Sequence, residues 1–221
     1  MKIATVTLTL VATTALALPT SGNTESQTLM LEPDTEIQMA LEAGPAHLRE
    51  DATVYVFRED GYHQVRSGTN GFTCLVNRDG NQHGDNDLKP TCWDPEGSRT
   101  IVPIMLRVGE LIANSASADE IRRDIDAGFA SGKFTSPKKA GIAYMLKGDI
   151  GFDPDTRQIS SELFPPHYMI YAPGVSSADI GADVEGPTSE FALPSVYSGY
   201  SGGTHTAYII VLAAESAESS H

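Results

Sequence analysis

The chain carries only two cysteines, Cys74 and Cys92, in 221 residues, and they are not in C-x-x-C spacing. That spacing excludes the usual redox-active pair. Basic residues are also scarce: 15 Lys and Arg stand against 29 Asp and Glu, a formal net charge of −14. A phosphate backbone rewards clustered Lys and Arg, so nucleic acid and anionic membrane surfaces are poor partners for this chain. The acidity fits solubility in an extracytoplasmic space, or an attraction for cations. No internal repeat is present. Beyond the first residues, no run is long and apolar enough to cross a bilayer, which takes about 20 residues as a helix.

The start of the chain is different. Met1-Lys2 precedes an apolar run from Ile3 to Leu18, interrupted by threonines, and Ala15-Leu16-Ala17 fits the small-residue rule for signal-peptide cleavage. Residues 1–17 therefore read as a secretory signal, and Pro19-Thr20-Ser21-Gly22 breaks any helix that would extend it. No cysteine near the cleavage point is available for a lipid anchor. Export to the periplasm or the medium changes how the cysteines read. Thiols rarely stay reduced there, so a Cys74–Cys92 disulfide displaces the alternative of two thiolate metal ligands.

The remaining residues, about 200, suit one domain of 34–213 between a polar leader, 18–33, and a tail, 214–221. A helix is expected from Asp34 or Thr35 to Gly44-Pro45, with Ile37, Ala40 and Leu41 inward. Thr53–Phe57, Tyr62–Arg66 and Phe72–Val76 are β-branched and aromatic and are separated by Gly-containing turns, which predicts a three-strand antiparallel meander. Residues 77–90 read as a polar loop that Cys92 ties back to the third strand. Ile101, Ile104, Met105, Val108, Leu111 and Ile112 recur at helical spacing, with Pro103 tolerable only in the first turn. Ser117-Ala118-Asp119-Glu120 is a capping box opening a helix to Ala130, with Ile121, Ile125 and Phe129 on one face. Strands follow at Gly141–Leu146, His167–Tyr171 and Thr206–Leu212, the last continuously apolar and expected to be central and buried on both faces. Together these predict an α+β fold with a mostly antiparallel sheet, an N-terminal helix and a central pair of helices.

Four segments are candidate sites. Gly199-Tyr200-Ser201-Gly202-Gly203 matches the G-x-S-x-G nucleophile elbow, but a strand follows where the elbow needs a helix, so a Gly/Ser loop is the better reading. Asp79 to Asp87 loosely resembles a calcium loop, but His83 stands in place of an oxygen ligand and Pro90 in place of the bidentate Glu, so a solvated acidic loop is the better reading. His167 and His205 each open an apolar strand; if those strands are neighbours, the two imidazoles converge and could hold a divalent metal ion. His83, His63, Asp149 or Asp179 would supply a third ligand. The turn around Asn70-Gly71 offers Asn70 as a ligand-binding group, although a hairpin turn accounts for the same residues. Tyr168, beside His167, is a second candidate ligand-binding residue.

The strings Gly68-Thr69-Asn70-Gly71-Phe72-Thr73-Cys74-Leu75-Val76, Pro165-Pro166-His167-Tyr168-Met169-Ile170-Tyr171-Ala172-Pro173 and Ala207-Tyr208-Ile209-Ile210-Val211 resemble those of a group of uncharacterised exported bacterial proteins. The resemblance spans roughly residues 37 to 212. It implies a bacterial, exported, single-domain protein and carries no activity, cofactor or catalytic residue. The expected function is binding of a metal ion or small ligand near His167 and His205. Two alternatives stand beside it: a hydrolase with a histidine general base, and a structural or surface-interaction protein without a pocket.

Overall fold

The turn signals between the early strands determine where each strand begins, and the way the chain crosses between them determines the sheet. In the computed structural model, residues 30–78, 87–153, 156, 158–182, 195–199 and 204–213 are described. Strand β1 (Thr53–Arg58) turns at Glu59-Asp60 into β2 (Gly61–Arg66), and the two pair antiparallel. The expected meander stops there. Strand β3 (Thr73–Asn77) lies on the other side of β1 and pairs with it in parallel, Thr53 with Thr73 and Val54 with Cys74. The connecting residues pass close under the start of β1, where Thr69 and Asn70 both donate backbone N–H groups to the Asp51 carbonyl. A side chain at Gly68 would place its Cβ 2.2 Å from that oxygen and 2.3 Å from Thr53 N. Glycine is the one residue that allows this crossing.

Strand β4 (Lys89–Trp93) pairs antiparallel with β3 and sets Cys74 directly opposite Cys92. The two form the expected disulfide, with both residues almost fully buried. Pro90 hides this strand from sequence reading, because proline cannot donate to a ladder. It is accommodated between the Leu88–Ile150 bridge and the Cys92–Tyr144 pairing. The order continues through β5 (Ile142–Met145), β8 (His167–Tyr171), β10 (Tyr208–Leu212) and β9 (Ser195–Tyr197), an eight-stranded, mostly antiparallel sheet. A separate hairpin, β6 (Asp149–Asp153) and β7 (Gln158–Phe164), lies beyond it in a two-stranded sheet. The class is α+β, as expected.

Alternation along each strand sends side chains to opposite faces. Val54, Cys74, Val76 and Cys92 join Met39, Ala40 and Ala43 from helix α1 (Pro33–Glu42) and its end. This helix starts at Pro33 after Glu32, without a side-chain cap, rather than from the expected Asp34 or Thr35. Leu31 is buried in the same cluster, so ordered packing begins before residue 34. The apolar face of α1 also contains Glu36, fully buried, whose Oε1 accepts from Phe57 N (2.9 Å) and from the Arg78 guanidinium (2.7 Å).

The opposite face of the sheet carries Phe57, Leu75, Trp93, Met169 and Ile210, packed against α3 (Val102–Ala113) and α4 (Ala118–Ala130). A short helix, α2 (Pro95–Thr100), capped by the Asp94 carboxylate, leads into them. Pro103 sits in the first turn of α3, and the Ser117/Glu120 capping box opens α4, both as expected. The last strand differs from expectation. It is flanked by β8 and the edge strand β9, its burial alternates, and Val211 remains 44% exposed. The cause is coverage: α1 packs mainly on β1, β3 and β4 rather than on β10.

Candidate functional site

On the face that carries α3 and α4, neighbouring strands contribute one cleft. Its apolar lining comes from Trp93, Met145, Met169, Tyr208 and Ile210 on the sheet, with Phe164 from β7 and Tyr197 from β9. Its polar lining is Asn77, Lys89, Thr91, Asp149 and His167. The cavity volume is about 80 Å³. That is roughly half the ~150 Å³ apolar cavity known to accept benzene, so the enclosed part holds a small group and a larger ligand would extend through the mouth.

His167 is 2% exposed, as deeply buried as Tyr208 in the same lining. It opens β8 opposite Met145 on one side and Leu212 on the other. The preceding Pro165-Pro166 restricts the backbone and places the Pro165 carbonyl 2.8 Å from Nδ1. The edge of the imidazole meets the Phe164 ring at 4.9 Å between centroids. Burial pushes the pKa down to about 4, while the hydrogen bond to Pro165 pulls weakly the other way. The ring is therefore neutral at pH 7. Because a carbonyl can only accept, Nδ1 carries the proton and donates it, and Nε2 keeps its lone pair. Among the described residues, only Nδ1 of this side chain has a hydrogen-bond partner.

His205 does not join it. Strands β8 and β10 are neighbours, as the convergence idea required, but they are antiparallel: His167 pairs with Leu212, and Tyr171 with Tyr208. Their first residues lie at opposite ends. The four-residue offset alone spans about 13 Å, far beyond the reach of two ligands that each sit about 2 Å from one zinc ion. His205 instead stacks on Phe129 of α4 at 4.4 Å. Among the described residues, no group of three or more His, Cys, Asp or Glu is placed to hold a metal ion.

The other candidates separate in the same way. Asp149 does lie in the cleft with His167. His63 is exposed and pairs with Asp60 at 2.5 Å. Asp179 accepts from the backbone and side chain of Ser176 in a short 3-10 turn. Asn70 donates to the Leu48 carbonyl and accepts from Phe72 N, so its amide holds the β2–β3 crossing. Tyr168 is on the other face of β8, edge-on to Tyr144 at 5.8 Å. His83, the 79–86 part of the calcium-like segment, and 200–203 of the G-x-S-x-G motif lie outside the described residues, as do the signal segment and the tail.

Sequence reasoning missed Trp93, Lys89 and Phe164. The signal for the first two was the alternation Lys89-Thr91-Trp93, obscured by Pro90. No protein-family model, curated protein or solved structure matches the chain. Among the described residues, no helix is long and apolar enough to cross a membrane.

Proposed function

We propose that this protein is an exported domain that binds a small molecule in the cleft around His167. The observation that carries the reading is the neutral, buried imidazole: Nδ1 is anchored to Pro165, and the ring lines an aromatic cleft that also contains Lys89, Asn77 and Asp149. An apolar recess with a few fixed polar groups is the usual form of a small-ligand site. The metal version of this idea loses its second histidine, because His205 is at the far end of its strand. The hydrolase version is weakened by basicity. A general base works best with a pKa near the operating pH, and His167 sits near 4. Export, and membership of the bacterial group that the sequence strings resemble, rest on the N-terminal signal pattern and those strings. The buried disulfide is compatible with them.

The test is a fragment library screened by NMR on the mature, untagged protein. The expected result is a set of binders that shift Trp93, His167 and Met169 together and lose affinity in His167→Phe. A library that leaves those resonances unmoved while binding elsewhere, or nowhere, overturns the reading. Adding zinc or copper alone to the same sample is expected to leave them in place.

A further inference from the structure

We infer that the occupant of this cleft is a neutral phenolic ring whose hydroxyl donates to Nε2 of His167, an inference that rests on the small-ligand reading above. The direction of the hydrogen bond follows from the anchoring. Pro165 accepts from Nδ1, so the tautomer is fixed and Nε2 can only accept. A carboxylate or phosphate ligand would bring an oxygen lone pair against a nitrogen lone pair. A cation would need further ligands, and none are grouped for it among the described residues. A group that donates is what remains. The residue is 2% exposed, yet Nε2 is not among the fully enclosed atoms that lack a partner, so a donor entering the cleft can reach it and add one hydrogen bond.

Net charge points the same way. The lining contains one cationic and one anionic side chain, Lys89 and Asp149, so it presents no excess charge to select an ion. Asn77 and Thr91 add neutral polar groups, and most of the remaining lining is aromatic and thioether surface, including Trp93 and Phe164 with Met145 and Met169. Methionine sulfur and aromatic edges favour a flat aromatic ring. A sugar ring would carry several more hydroxyls into that apolar surface, each needing a partner. The volume of about 80 Å³ admits the hydroxyl-bearing edge of one ring and leaves its substituents at the mouth.

Five probes test this on ¹⁵N-labelled mature protein: phenol, anisole, toluene, benzoate and methyl glucoside, each titrated while the His167 ring nitrogens are followed by long-range ¹H–¹⁵N correlation. Phenol is expected to bind at millimolar concentration, move the Trp93 indole signal, and shift Nε2 upfield as its lone pair accepts the hydrogen bond. Anisole and toluene, which have no donor, are expected to bind about five- to tenfold more weakly, the worth of one hydrogen bond. His167→Asn should bring phenol down to the anisole level. If that variant does not fold, the phenol-to-anisole ratio and the Nε2 shift in the unaltered protein decide. Equal binding of phenol and anisole, or tighter binding of benzoate, overturns the phenolic inference and leaves the small-ligand cleft standing. If none of the five moves a cleft resonance, the inference is overturned. The cleft reading falls with it only if the fragment library also fails.

Discussion

His167 links burial to acid sensitivity. Its ordinary pKa is 6.5 and its folded value is about 4, because burial disfavours the charged ring. Between those values the unfolded chain binds a proton that the folded chain refuses, so stability falls as the pH drops from 6.5 towards 4. The loss should reach roughly 3 kcal/mol at the bottom of that window. Urea unfolding of the native protein and of His167→Asn across this range checks it; the variant should show a flatter profile. Lys89, Asp149, Tyr197 and Tyr208 line the same cleft. Glu42 and Asp124 are held below their ordinary values by hydrogen bonds with Lys147 and Arg107, so they add acid sensitivity only lower down, as pH falls past 4.5 and 3.8. Just past the cleft residue Asn77, Arg78 forms an ion pair with Glu36, the side chains being 1% and 0% exposed. Removing one partner strands a buried charge. Glu36→Ala should cost about 3–5 kcal/mol in chemical denaturation, whereas the paired change Glu36→Leu with Arg78→Met should cost far less. Neither residue was legible as a pair, since they are 42 positions apart and Glu36 interrupts an otherwise apolar helix face.

The elements differ in how far local chemistry determines them. Helices α3 and α4 were legible because their signals are local: helical spacing of Ile and Met, a proline in the first turn, and a capping box that bonds as the sequence implies. Strand β4 was not, since Pro90 argues against a strand unless the pairing on each side is known. Strand β6 was hidden by Gly151 and two terminal aspartates. The crossing from β2 to β3 offers a sharp test. Gly68→Ala would drive a methyl group into the backbone of Asp51 and Thr53, atoms that cannot rotate away. A loss on the order of 3 kcal/mol, read as a lowered Tm, is expected. The β3–β4 pair should depend on its covalent link. With a sequence separation of 18, the Cys74–Cys92 bridge is worth about 3 kcal/mol in the chain-entropy account, and a Cys74→Ala/Cys92→Ala double variant should lose about that much. Both residues are at most 2% exposed, so dithiothreitol should leave the bridge intact in the folded protein and cleave it once denaturant is added, as read by thiol labelling and mass.

For the whole molecule, the helices take opposite sides of one sheet, α1 on one face and α3 with α4 on the other. The cleft lies where strands from both halves of the chain meet β7. The proposal of export belongs to this scale as well. Intact mass of protein recovered from outside the cytoplasm should correspond to a chain beginning at Leu18 and lacking two hydrogens at the cysteines. A mass that retains residues 1–17 would overturn cleavage at Ala17.

By itself the sequence determined the fold class, the two long helices and the half-cystine pair, because each depends on spacing, capping or composition within a short stretch, and it singled out His167 as a candidate. The tertiary structure alone decided what His167 is near. Strand direction separated it from His205, since antiparallel neighbours begin at opposite ends, and register brought Trp93, Lys89 and Asp149 beside it from distant parts of the chain. The scarcity of cysteine ends in one buried bridge, and the polar face of the site is set by long-range pairing that no local pattern records.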